Sequence, residues 1–261
     1  MTRSTRSTHP THPTHRPPGR PPASPRGRPG WAATLARQWR HRQLLKIAGI
    51  CAFMWVFFAA YFHVLRNPWR PVTEMPLTAL DGWIPFQPAA FWAYVSLWVY
   101  VGIAPALLPT LAAGLRHAAW AAALCASGLL CFWLWPTAIP PSVHHLDQAM
   151  AGHAGFALLR GVDAAGNACP SLHVASAVFS AMGIRRVLAV AGAPWPLHGI
   201  NLAWLLLIVW STVAIRQHVV LDVVAGAALG LAFGLASARW LTPLGRAAGG
   251  LRLSSTHEFP G

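Results

Sequence analysis

The sequence predicts an all-α polytopic membrane protein, a six-transmembrane helical bundle, from three observations. Hydrophobic residues fill 55 % of the 261 positions and charged residues only 10 %, against roughly a quarter charged in an ordinary soluble domain. Windows free of formal charge recur at lengths that cross a hydrocarbon core of about 30 Å at 1.5 Å of helical rise per residue. The 20 Lys+Arg against 6 Asp+Glu give a formal charge of +14, and that excess is sorted by membrane side. A basic balance can also indicate nucleic acid, but 14 Trp and long uncharged runs fit lipid instead. The expected surroundings are the bilayer, with no nucleic-acid partner and no protein partner indicated.

The elements follow in order. Residues 1–46 are Arg, Pro, Thr, Ser and His in a low-complexity pattern, with almost no large apolar side chain before Trp31; such a stretch buries no core and predicts a disordered basic tail. Spans are expected at 47–65, 91–111, 117–135, 170–182, 197–215 and 218–240, with the fourth ending before Arg185 and Arg186. Trp83, Phe86 and Trp92 suit an aromatic belt ahead of the second span. The membrane domain is thus 47–240, followed by a short tail at 241–261. Cysteines at 51, 125, 131 and 169 lack the paired spacing of a zinc site or disulfide framework, so no metal or redox role is assigned to them.

Six spans place both termini on one side. Of the 20 Lys+Arg, 16 fall in the tail, the turns near Arg116 and Arg185, and the C-terminal segment. Basic flanks stay on the cytoplasmic side, so both termini are expected in the cytoplasm of a bacterial cell, with the loops at 66–90 and 136–169 on the periplasmic face of the inner membrane.

Two polar clusters interrupt the apolar pattern: Asn167-Ala-Cys-Pro-Ser-Leu-His173 opening the fourth span, and Arg216-Gln-His-Val-Val-Leu-Asp222 opening the sixth. His173 and His218 are 45 residues apart, roughly one helix in and one back, so both clusters are expected at the outer face. Pro170 suits the first helical position. The Ser171 and Leu172 amides, with the helix dipole, offer an anion site for which phosphate is the obvious candidate. His173 in that first turn can donate a proton at near-neutral pH. His218 and Asp222, four apart, are expected on one helix face, so that the carboxylate binds one ring nitrogen and frees the other as a nucleophile or base. An acid one turn inside an apolar span is costly and usually faces a cavity or a partner. In the outer loop, His144, His145, His153, Asp147 and Asp163 are taken as solvated. Gly226, Gly230 and Gly234, at four-residue spacing, predict close helix packing.

Together the clusters resemble the type 2 phosphatidic acid phosphatase superfamily. Its Pro-Ser-Gly-His segment appears as Pro170-Ser171-Leu172-His173. Its Ser-Arg, five residues, His, three residues, Asp pattern appears as Ser211-Thr212, then His218 and Asp222. The Leu at 172, the Gln-His pair at 217 and 218, and the segment Asp81-Gly-Trp-Ile-Pro-Phe-Gln-Pro88 look like the branch of inositol-phosphorylceramide-synthase-like membrane proteins. The resemblance implies a lipid-metabolism hydrolase that attacks phosphorus with His218, orients it with Asp222, protonates the leaving alcohol with His173 and holds phosphate oxygens around Pro170, Ser171 and Leu172. It implies a phosphohistidine, a lipid phosphate substrate and no metal or other cofactor. A phosphotransferase with an alcohol acceptor and a non-catalytic member of the fold are the alternatives. The basic residues of the family's first motif are absent between Trp133 and Pro141, and Thr212 stands where the family carries a phosphate-binding Arg. Arg216 and Arg160 are the outer-face cations near the clusters, and one or both are expected to compensate.

Overall fold

The computed structural model describes residues 30–144 and 166–241. Six helices among them are long and apolar enough to cross a membrane. A first helix, α1 (Trp31–Arg40), precedes α2 (Gln43–Arg66), the first span. The second span, Pro88–Leu107, is built from a 3-10 turn (Pro88–Ala90), α4 (Phe91–Val95) and α5 (Leu97–Leu107), after a short α3 (Ala79–Trp83). Then come α6 (Leu111–Leu134), the four-residue α7 (Pro141–His144), α8 (Leu172–Ala191), α9 (Trp195–Ala214) and α10 (Val220–Leu241).

Several boundaries differ from expectation, the second span ending at Leu107 rather than 111 among them, and three have a clear physical reason. Residues 31–40, assigned above to the tail, form α1: Leu35 packs against the cores around Leu97 and Leu108, and Lys46 Nζ ties the corner by donating to the carbonyls of Gln38 and Ala106, each at 2.7 Å. The third span begins at Leu111 rather than at 117, because Thr110 caps it by accepting the Ala113 N–H at 3.2 Å; Arg116 is exposed near its end, where a long cation snorkels. The fourth span continues through Arg185 and Arg186 to Ala191. Arg186 is satisfied inside the protein, donating from Nη1 to Ser237 Oγ at 2.9 Å and from Nη2 to the Gly234 carbonyl.

Helix α8 is the axis of the bundle, packed on α5, α6, α9 and α10. On one side Ala177, Ala181 and Ile184 meet Leu97, Tyr100 and Ile208; on the other, Leu172 and Phe179 meet Leu124 and Phe132. A buried polar link crosses this core: Tyr100 OH donates to Asn201 Oδ1 at 2.7 Å, and Asn201 Nδ2 donates to the Ala181 carbonyl at 3.0 Å. Such bonds hold spans together where lipid provides no hydrophobic drive between helices.

The glycines of α10 pack as expected. A Cβ on Gly226 would fall closer than 3.0 Å to the Ser171 carbonyl, one on Gly230 equally close to that of Ala175, and one on Gly234 to Met182 Sδ. The start of α10 therefore lies directly against the start of α8. At that end a two-residue parallel ladder, Thr73–Glu74 with Thr137–Ala138, and a bridge from Thr137 to Asn167 lace three connections together.

Candidate active site

The first cluster enters α8 through a cis Cys169–Pro170 bond. Ser171 is the N-cap, its Oγ accepting the Val174 N–H at 3.2 Å. Pro170 thus stands before the cap rather than at the first helical position. The Ser171 amide, expected to be free for an anion, donates to the Asp222 carbonyl at 3.1 Å. That bond joins the two clusters main chain to main chain and leaves the Leu172 and His173 amides as the first-turn donors without an intrahelical acceptor. Leu172 packs its side chain over Gly128 of α6. The His173 ring is buried, stacked on Tyr94 at 3.9 Å between centroids with an 11° interplanar angle, with Trp98 edge-on at 6.2 Å. Its Nε2 lies 3.0 Å from the Tyr94 carbonyl. A carbonyl only accepts, so Nε2 carries a proton.

The second cluster is a turn held from several sides. After α9 ends, Arg216 adopts a left-handed backbone, φ 60°, uncommon for a residue with a Cβ. Its guanidinium donates to the carbonyls of Asp81 and Ile84, both at 2.9 Å, so it clamps α3 to the turn instead of standing free for phosphate. Thr212 also shapes the turn: its carbonyl accepts the amides of Gln217 and His218, and its hydroxyl donates to the Val209 carbonyl at 2.8 Å. His218 lies two residues before α10 starts, not on the helix face expected from its spacing. Its Nδ1 is 3.5 Å from Asp222 Oδ2. That approach is not a hydrogen bond: His218 Nδ1 and Asp222 Oδ1 are buried without a partner among the described residues, while Asp222, fully buried, accepts the Val219 N–H on Oδ2 at 3.0 Å.

Asp81 completes this end of α10. Its Oδ1 accepts the Val220 N–H at 2.8 Å, while Oδ2 accepts both the amide and the hydroxyl of Thr78 at 2.7 Å, a capping box for α3. Burial pushes the Asp81 carboxyl upward, but the Thr78 side chain and amide, the Val220 amide and the Arg216 charge outweigh it and hold the group below its ordinary value. The Thr78-x-x-Asp81 spacing carried the signal for the capping box. The bond to Val220 bridges 139 positions and had none.

Both histidines border one cavity of about 360 Å³, together with Gln217 and Asn167. Asn167 Nδ2 donates to the Tyr61 hydroxyl. Tyr61, Tyr94 and Trp98 were not singled out from sequence, because in an apolar span an aromatic at a site looks like any belt or core aromatic. Among the described residues, the Lys and Arg side chains bordering the cavity are Arg42 and Lys46, at its opposite end. Cys169 is no nucleophile in waiting: burial first, then the charges of Asp222 and Cys131, push its thiol up to about 11. Among the described residues no group of three or more His, Cys, Asp or Glu is placed to hold a metal ion. Arg160, His145, His153, Asp147 and Asp163 lie outside the described residues.

The geometry is therefore a buried imidazole backed by a carboxylate, facing the same space as a second imidazole with a fixed tautomer, at one end of a membrane bundle. No curated protein and no solved structure matches the chain significantly. A family model described as the PAP2 superfamily matches residues 69–236, spanning both clusters and more than half of the chain, and the protein belongs to that superfamily.

Proposed function

We propose that the protein is a membrane-embedded phosphatase that hydrolyses a lipid phosphate ester through a phosphohistidine on His218. Membership of the PAP2 superfamily supports phosphatase-type action on a lipid phosphate. The observation that carries the finer proposal is the opening of His173 and His218 onto one cavity with Asp222 behind His218. The Asp222 carboxylate favours the tautomer with hydrogen on Nδ1, so Nε2 of His218 holds the lone pair that attacks phosphorus. As the P–O ester bond breaks, His173, entering this step as the imidazolium with its second proton on Nδ1, gives that proton to the leaving alkoxide. Its Nε2–H stays with the Tyr94 carbonyl in either charge state, so the proton that moves is on Nδ1. His173 then takes a proton from water, the hydroxide attacks the phosphohistidine, and phosphate leaves with His218 restored.

Phosphate oxygens would meet the Leu172 and His173 amides, the Ser171 hydroxyl proton and, as proposed from sequence, Arg160. The residues named so far supply nucleophile and acid, so the route calls for no metal ion. The site is assigned to the periplasmic face of a bacterial inner membrane, with both termini cytoplasmic, on the asymmetry of Lys and Arg.

The test is phosphate release from lipid phosphates by detergent-purified protein in EDTA, wild type against His218→Ala. Release by wild type and loss in the variant are expected. Equal release by both rejects the catalytic assignment, and loss in EDTA rejects the metal-free route.

A further inference from the structure

The cavity that holds the histidines has a second polar end. Tyr61 and Arg42 both border it and lie 19 residues apart in sequence, joined by α2, about 28 Å at 1.5 Å per residue. That is close to the whole depth of a hydrocarbon core of about 30 Å. The two ends therefore sit at the headgroup levels of opposite leaflets.

The far end suits an anion. Helices α2 and α6 both start there, with Arg42 and Thr110 as their N-caps, so the positive ends of two helix dipoles meet at one mouth. Arg42 is exposed, and its guanidinium has no hydrogen-bond or ion-pair partner among the described residues. Lys46 Nζ donates to the carbonyls of Gln38 and Ala106, which leaves one of the three ammonium protons free. No Asp or Glu borders the cavity among the described residues.

Cations and helix starts alone would attract any anion; His117 narrows the choice. It lies six residues beyond Leu111, the first residue of α6, about 9 Å deeper than the mouth. It is only 7 % exposed and borders the same cavity. Its ring packs on Phe179 at 4.9 Å between centroids and has no hydrogen-bond partner among the described residues. An imidazole carries at least one N–H in either tautomer, and a buried donor without an acceptor is costly. A free phosphate at the mouth would leave that N–H unmet. A phospholipid carries ester carbonyls on the chain side of its phosphate, which are acceptors at a deeper level. The glycerol and first methylenes then fit beside Gly49 and Gly114, which border the cavity and where a Cβ would meet nothing within 4 Å.

We infer that this end is a second lipid site, which takes an anionic glycerophospholipid from the leaflet opposite the histidines. The phosphate sits at Arg42, Lys46 and the two helix starts, and an ester carbonyl accepts from His117. The site stands independently of the phosphatase proposal.

The experiment measures binding to the full chain in detergent by native mass spectrometry, with phosphatidylglycerol, phosphatidylcholine and glycerol 3-phosphate as probes. Wild type is expected to bind phosphatidylglycerol about tenfold tighter than phosphatidylcholine, the scale of one charge-assisted hydrogen bond, and glycerol 3-phosphate more weakly than either. Arg42→Asn removes the charge and suits the left-handed backbone there, φ 52°. It should erase the preference and leave phosphatidylcholine binding unchanged, which shows that the variant folds. Arg40→Asn, at an exposed cation of α1 that does not border the cavity, should change phosphatidylglycerol binding by less than about twofold, the scale of an isolated surface charge. His117→Phe keeps a ring against Phe179 and should weaken both lipids about fivefold, the scale of one neutral hydrogen bond, with the preference intact.

Equal losses in Arg42→Asn and Arg40→Asn would reduce the site to diffuse surface attraction. Glycerol 3-phosphate bound as tightly as phosphatidylglycerol would assign the mouth to free phosphate, and unchanged affinity in His117→Phe would take the lipid out of the cavity. Loss of the preference in His218→Ala would place the lipid at the histidines. Each of these overturns the inference, as does equal binding of the two lipids by wild type.

Discussion

The Asp81 carboxylate accepts the Val220 N–H at 2.8 Å, so a residue before the second span terminates the helix that carries Asp222. Two amides at the start of α10 are capped by two different acids, Val219 by Asp222 and Val220 by Asp81. The turn bearing His218 is thereby fixed against a part of the chain remote in sequence.

Replacing that cap tests its role. Asp81→Ala is expected to lower stability by about 0.5–2 kcal/mol, the range for loss of a helix cap, and to reduce kcat more than it raises KM. Denaturation in detergent and steady-state phosphate release measure the two effects.

The same carboxyl sets a pH dependence. Its folded value lies below the ordinary one, so its contribution to stability is present above the unfolded pKa and is lost as pH falls through the folded pKa. Melting temperature should fall on the acid side for wild type, and Asp81→Asn should flatten that limb. Parallel acid limbs in the two proteins would assign the loss to other groups.

Arg216 separates two roles. If it clamps the turn through the Asp81 and Ile84 carbonyls, Arg216→Ala lowers kcat and thermal stability and leaves KM within about threefold. If it binds phosphate, KM rises first, because uniform binding is what is removed. The expected outcome is the former.

His173→Ala is expected to lower kcat by about 10²–10⁴, the usual contribution of a general acid, while the phosphoenzyme still forms from a substrate with a good leaving group. A burst of alcohol release followed by slow phosphate release would report that separation. His218→Ala should abolish both phases.

Gly226 is a point of close approach between the two motif-bearing spans. A Cβ there collides with the Ser171 carbonyl, so Gly226→Ala should cost about 1–3 kcal/mol of overpacking and displace His218 from His173. Gly102→Ala, where a Cβ meets nothing within 4 Å, should be neutral or slightly stabilising. Similar melting temperatures and turnover for both variants would contradict the packing argument.

Spans and clusters were legible in the sequence because lipid forces long apolar helices and makes any acid within one conspicuous, as Asp222 was. The ends of the spans were less so. Arg186 looked like a boundary, yet Ser237 and Gly234 satisfy it, and partners 51 and 48 positions away leave no local trace. The i, i+4 spacing of His218 and Asp222 suggested one helix face, whereas the left-handed Arg216 and the Thr212 carbonyl delay the helix until Val220. Arg216 itself was expected at phosphate because it is the nearest cation in sequence. Only the fold reveals the two carbonyls that occupy it.

Where α8 and α10 touch at Ser171 and Gly226, no side chain intervenes, and peptide groups meet peptide groups. Peptide units have no rotamers to sample and do not repack when bilayer composition or temperature changes. The spacing of the two imidazoles is consequently insulated from the greasy perimeter, and a change of lipid environment should alter how substrate arrives far more than how the bond is broken.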